Sequence, residues 1–200
     1  LDELLLLCRE KEILCIADEV MTGFGRTGTL FASQQMPTQP DIFCFSKGLT
    51  GGFMALGATA VNQKVTEAFE TTIPEKMLLH GHSYTANPLA CAAAATSLKL
   101  HKEGVGDIHM ERISQLHQKQ LKRFNEWDVR TLGTILAIEL NVSRDYFAAE
   151  LANVVPFFRK KGNVLRPLGN VLYLIPPYCS SDKDLEHCYS SLEEYVSSRS

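Results

Sequence analysis

Residues 13–47 restrict the fold more than any other part of this chain. They open on an apolar run, Ile13-Leu14-Cys15-Ile16-Ala17, which stops abruptly at two acids, Asp18-Glu19. A glycine-rich segment follows from Val20 to Gly28. A second apolar run, Ile42-Phe43-Cys44-Phe45, then delivers Ser46-Lys47, with Gly48, Gly51 and Gly52 behind it. Short, wholly apolar runs bounded by turn residues are the pattern of strands buried on both faces, as in parallel sheets. Strands are expected at 13–17 and 41–45. Each presents one ionisable residue at its carboxyl end, where open α/β sheets place ligands. Asp18 and Lys47 are the chemical pair this pattern predicts.

The remainder supplies helices and a change of texture. Residues 1–11 alternate leucines with charges like the last turns of an amphipathic helix. Three glycines between Thr22 and Gly28 predict a loop, residues 57–61 a short strand and residues 63–70 a helix. Asn87-Pro88 is a strong helix start, with the asparagine as cap and the proline in the first turn. The alanine-rich run behind it has side chains small enough for close packing. The start of this helix, preceded by Ser83 and Thr85, is a candidate anion site. Beyond Gly104 the expected order is a long polar helix (108–127), a glycine-kinked strand (131–140), and a helix bent or ended by Pro156 (146–160). Two strands (163–166 and 171–175) then flank Pro167-Leu168-Gly169-Asn170. Ser181-Asp182-Lys183-Asp184 opens the last helix with capping-box chemistry. A domain boundary is expected near 104, giving units over 1–104 and 105–200.

Composition excludes several classes. A net charge of −3 over 200 residues leaves no electrostatic footprint for nucleic acid or a membrane surface. No apolar run approaches the roughly 20 residues that span a bilayer. The six cysteines lack C-x-x-C spacing, and Cys15, Cys44 and Cys91 lie in apolar runs, so buried reduced thiols in a cytoplasmic protein are expected. Residues 1–12 read as the middle of a helix feeding a strand, and Leu1 is not a methionine. A longer protein with sequence upstream of Leu1 is the expectation.

A lysine acts as a nucleophile when its surroundings pull its pKa below the ordinary value of about 10.4. A carboxylate on a neighbouring strand end suits a cationic ring nitrogen. Together these two roles match pyridoxal 5'-phosphate, held by an imine to lysine and by an acid at its pyridine nitrogen. Other readings stand beside this one. An apolar run ending in Asp-Glu is also the shape of the metal-binding strand of an ATPase, whose G-x-x-x-x-G-K-[ST] loop is absent here. Taken alone, Asp18-Glu19 is as readily a pair of loop acids, and Lys47 a solvated lysine. His80 and His82 have metal-like spacing without a third ligand nearby, and no metal is assigned.

Residues 17–28, Ala-Asp-Glu-Val-Met-Thr-Gly-Phe-Gly-Arg-Thr-Gly, resemble the signature of the class III pyridoxal-phosphate aminotransferases. Ser46-Lys47-Gly48-Leu49-Thr50-Gly51-Gly52 is similar to that family's lysine segment, and residues 80–90 resemble its next landmark. The resemblance spans residues 1–200 and implies the carboxyl-terminal half of a family member with the type I α/β fold. Residues 1–104 would be part of the cofactor-binding large domain with a mostly parallel sheet, and 105–200 a small α+β domain. It implies that Lys47 carries the cofactor and shuttles a proton, that Asp18 binds the ring nitrogen, and that Val20 packs on the ring. His82 and Ser83 would contact phosphate from a neighbouring subunit, with His82 acting through its backbone, and Gly81 would offer backbone to substrate. This implies a homodimer with shared sites. Residues 164–178, with Met21, resemble members that move an amine from S-adenosylmethionine to 8-amino-7-oxononanoate, and Arg166 would receive the substrate carboxylate. Relatives using ω-amino acid or ornithine-type donors, and an inactive homologue, are the alternatives. The phosphate cradle and the stacking aromatic are expected upstream of Leu1, so the 200 residues alone should bind cofactor weakly and turn over little.

Overall fold

The strand that carries Asp18 is shorter than its apolar run. Helix α1 (Asp2–Glu10) ends with Glu12 in a left-handed conformation (φ +56°), and the Ile13 N–H closes it by donating to the Cys8 carbonyl at 2.8 Å. The Cys15 N–H donates to Asp41 Oδ2 at 2.9 Å. Ladder pairing therefore begins only at Ile16, and β1 is Ile16–Asp18 rather than residues 13–17. The chain is described here by a computed structural model over residues 1–145 and 149–198. It divides into two units, Leu1–Val105 and Gly106–Ser200.

In the first unit β1 pairs parallel with β2 (Ile42–Phe45), and β2 pairs antiparallel with β3 (Ala58–Val61), giving the order β1-β2-β3. Ile16 stands opposite Ile42 and Asp18 opposite Cys44. Asp41 ties the strand starts together, because its second oxygen accepts from Asn62 Nδ2 at 2.7 Å. Asn62 then caps helix α2 (Gln63–Phe69). Asn87 caps helix α3 (Pro88–Lys102) by accepting from the Leu89 and Ala90 N–H groups, both at 3.1 Å, as its sequence predicts. The buried side of α3 carries Ala90, Ala94 and Ser97, small enough to lie against the turn that follows β2. The core here is small: Phe24, Leu49 and Ala94, with Phe31 and Phe45 packed around them.

The second unit holds all but the first residue of helix α4 (Val105–Gln120), which tightens into a 3-10 turn at Leu121–Phe124. The single strand expected at 131–140 is instead a hairpin. Strands β4 (Asp128–Leu132) and β5 (Ile135–Glu139) reverse at Gly133, whose φ of +55° suits the turn. Helix α5 is Val154–Lys160, shorter than expected, and residues 146–148 of that expectation lie outside the described residues. Pro156 sits in its first turn, where a missing N–H costs no helical bond, so it neither bends nor ends the helix. Strands β6 (Pro167–Leu168) and β7 (Val171–Leu174) form the second hairpin, so residues 163–166 are not strand. The sheet order is β4-β5-β7-β6, all antiparallel. Leu136 and Ile138 of β5 pair with Leu174 and Leu172 of β7, placing all four on one buried face. Helix α6 (Asp182–Ser197) has the predicted capping box: Ser181 Oγ accepts from the Asp184 N–H, and the Asp184 carboxylate accepts from the Ser181 N–H.

The six cysteines are free, but the expectation of burial is corrected. Cys91 is exposed, and Cys15 and Cys44 are half-buried, because α3 turns Cys91 away from its packed side and the first unit's sheet is thinly covered. No described helix is long and apolar enough to cross a membrane.

Candidate active site

Parallel pairing of β1 and β2 sets their carboxyl ends side by side. Asp18 is the last residue of β1. Beyond β2, Ser46 stays extended and Lys47 turns out with φ +44°, opening a 3-10 turn over Lys47–Thr50. A lysine in the left-handed region is uncommon and strained by about 1–3 kcal/mol, and such residues gather at functional sites. Packing holds it there. A Cβ on Gly48 would lie 2.7 Å from Phe24, so only glycine fits beside Lys47. From α3, Ser97 Oγ donates to the Gly48 carbonyl at 3.1 Å. Asp18 Oδ1 accepts from the Val20 N–H at 3.0 Å, and Val20 is half-buried at the start of the glycine loop. The Asp18 and Lys47 side chains are both exposed.

Gly81, His82 and Ser83 are exposed in a turn just ahead of α3. The turn satisfies much of its own hydrogen bonding. The His82 N–H donates to Thr85 Oγ1 at 3.0 Å, its carbonyl accepts from the Thr85 N–H, and its Nδ1 accepts from the Tyr84 N–H at 3.2 Å. The His82 backbone, the expected phosphate contact, is thus engaged within the turn. The His80 and His82 rings lie 6.2 Å apart edge to face, and no cluster of three metal-ligating side chains occurs among the described residues.

Arg166 belongs to the second unit. It is exposed at the wall of a cavity of about 320 Å³ lined also by Asn163, Leu165, Tyr173, Pro176 and Asp184. The segment leading to it is pinned from α6, because Asn163 Nδ2 donates to Ser191 Oγ at 2.9 Å while the Cys188 thiol donates to Asn163 Oδ1 at 3.2 Å. Burial, helped by the charge of Asp184, raises the Cys188 thiol above its ordinary pKa.

Sequence reasoning treated Glu19 as half of an acid pair and gave it no task. The structure separates the two: Asp18 faces solvent, whereas Glu19 is 2% exposed. Its carboxylate accepts from Thr22 Oγ1, from the Ala32 N–H at 3.1 Å and from the Ser33 N–H at 2.7 Å. Burial pushes its pKa up, but these donors outweigh burial and hold it below the usual carboxylate range. The available signal was alternation along a strand, which turns neighbouring residues to opposite faces.

The donor set fits pyridoxal 5'-phosphate. A carboxylate and a primary amine stand at adjoining strand ends, the amine on a residue whose backbone is held left-handed by packing. These are the groups that a protonated ring nitrogen and an aldehyde need.

The model of the family described as aminotransferase class-III matches residues 1–196. The adenosylmethionine-8-amino-7-oxononanoate aminotransferase of Synechococcus elongatus is 42% identical over 192 residues, covering 92% of this chain and 44% of that protein. The crystal structure of the enzyme of the same name from Methanocaldococcus jannaschii superposes with a TM-score of 0.86 at 34% identity, covering 98% of this chain and 48% of that one. An amine transaminase from an uncultivated Pseudomonas species, solved in its PLP-bound form, gives a TM-score of 0.83 at 32% identity, covering 95% of this chain and 46% of that one. The chain spans somewhat less than half the length of these relatives.

Proposed function

The chain belongs to the class-III aminotransferases, and from that premise we propose that the whole protein moves an amino group from S-adenosylmethionine to 8-amino-7-oxononanoate, a step of biotin synthesis, using pyridoxal 5'-phosphate. The observation that carries the chemistry is the pairing of β1 with β2, which sets Asp18 and Lys47 at neighbouring strand ends. The choice of substrates rests on the names of the relatives and on residues 164–178.

Bound at this site, the cofactor would withdraw electrons from the carbon that bears the amine, which labilises that carbon's proton. The residues of the chain do the rest. Lys47 Nζ would bind the aldehyde of the cofactor, and as a free amine the same Nζ would move the proton at the substrate carbon. The Asp18 carboxylate would keep the ring nitrogen protonated, since an anion there favours the cationic form. Val20, at the loop start, would pack on the ring. Ser83 and the His82 backbone would bind phosphate across a homodimer interface, once the turn at 82–85 gives up its internal bonds. Gly81 would offer its backbone to substrate, and Arg166 would pair both oxygens of the substrate carboxylate.

Within this reading residues 1–104 are part of the large domain and 105–200 the small domain of a cytoplasmic enzyme, and the 200 residues alone turn over little. The test is a donor screen on the whole protein with 8-amino-7-oxononanoate as acceptor, read as 7,8-diaminononanoate by mass spectrometry. Amine transfer from S-adenosylmethionine is expected. Rapid transfer from an ω-amino acid with none from S-adenosylmethionine overturns the donor assignment. Lys47→Ala should lower kcat by roughly 10⁴-fold, the upper range for losing a positioned acid-base group.

A further inference from the structure

We infer that Glu19 is a positioning residue for this site: its buried carboxylate fastens the glycine loop, and the loop sets the directions of both Asp18 and Lys47. Both ends of the loop converge on it. Thr22 at the loop's start and Ala32 and Ser33 at its end all donate to the one carboxylate. The Glu19 main chain is fixed as well, its N–H to the Cys44 carbonyl of β2 and its own carbonyl to the Gly23 N–H, both at 2.9 Å. A Cβ at Gly23 would come within 2.7 Å of that carbonyl, so a larger residue does not fit this turn without a shift.

The clamped loop reaches the lysine through Phe24. This ring is buried in a left-handed residue (φ +62°) and makes edge contacts with Phe31 and Phe45, at 5.6 and 6.3 Å between centroids. It presses directly on Gly48, which a Cβ would drive into Phe24. The Gly48 carbonyl is held by Ser97 on α3. Lys47 thus leaves the sheet from a backbone gripped between Phe24 and α3, and Phe24 keeps its place because Glu19 gathers both ends of its loop. Asp18 depends on the same loop, since Oδ1 accepts from the Val20 N–H. Each Glu19 oxygen faces a backbone N–H that can only donate, Ser33 at one and Ala32 at the other, so an ionised carboxylate satisfies both, whereas an amide must turn its own N–H₂ towards one of them.

The inference rests on the aminotransferase reading. The test uses the whole protein and measures pyridoxal 5'-phosphate affinity, the pH midpoint of the visible absorbance of the lysine-bound cofactor, and thermal melting. Glu19→Gln should weaken cofactor binding about tenfold, equivalent to about 1.4 kcal/mol, and move the pH midpoint while the protein still melts cooperatively. Thr22→Val, which removes one donor and little else, should move both in the same direction by less. A lowered melting temperature with wild-type affinity and midpoint would make Glu19 a stability residue only and overturn the proposal. Should Glu19→Gln fail to fold, Thr22→Val decides, and wild-type values for it overturn the proposal too. Failure of the wild-type protein to take up the cofactor at all sinks the aminotransferase reading and this inference together. Normal uptake with an indifferent Glu19→Gln sinks this inference alone.

Discussion

The unit that carries Asp18 and Lys47 has the thinner core. In the second unit Phe158, Leu136, Ile138, Leu172, Leu192 and Tyr195 close on one another with almost no exposure, and both hairpins and three helices share that core. In the first unit α1 buries none of its leucines, β3 is exposed along its length, and Ile16 in the strand that carries Asp18 is 64% exposed. Its order comes from polar clamps and tight backbone packing instead: Asp41 across the strand starts, Glu19 across the loop, Gly48 against Phe24. The lesson is that two ionisable residues can be placed by strand ends and hydrogen bonds while the apolar faces around them stay exposed. No described residue of this unit provides that cover.

Substitutions in the two units should separate them sharply. Phe158→Ala empties a fully buried site and should destabilise the second unit by about 3–5 kcal/mol, read by chemical denaturation. A loss below about 1 kcal/mol would break the contrast from its strong side.

A smaller effect comes from the one fully buried histidine of that core. His117 Nε2 lies 3.1 Å from the Thr134 carbonyl, which can only accept, so Nε2 carries the proton and Nδ1 accepts from the Tyr189 hydroxyl at 2.7 Å. Burial lowers the pKa of His117, outweighing the opposing bond to Thr134. The folded state then binds fewer protons than the unfolded chain. Stability is therefore complete above the unfolded value of about 6.5 and declines as pH falls from there towards the lowered folded value. The melting temperature should drop on acidification through that window, and less so in His117→Gln. Tyr189→Phe, which leaves Nδ1 buried without its donor, should cost about 1–3 kcal/mol at neutral pH.

The smallest effect is expected at Ile16. In the 200-residue chain Ile16→Ala should change stability by no more than about 0.5 kcal/mol, as for an exposed position. A large loss would mean that the first unit buries this strand in solution.

Local chemistry was the part most legible in the sequence. Asn87-Pro88 and Ser181 with Asp184 announced their helices, because a cap depends only on residues within one turn. Strand limits were not legible. Ile13 and Leu14 are as apolar as β1 itself, yet the N–H of Ile13 goes to the helix end. The run 131–140 hid a hairpin because Thr134 gives no turn signal of its own, and its place is fixed by His117, distant in sequence. Asp18 and Lys47 showed through as strand-end residues, whereas Glu19 did not, since its partners at 32 and 33 come from the far end of the loop.

The central claim is that Asp18 and Lys47 frame one cofactor site, with Lys47 as the attachment point. Borohydride reduction of the whole protein loaded with pyridoxal 5'-phosphate, followed by mass mapping of its peptides, tests this directly. The phosphopyridoxyl group is expected on Lys47, and is expected to be lost from that peptide in Lys47→Ala. Stoichiometric labelling of a different lysine, or none at all, would contradict it.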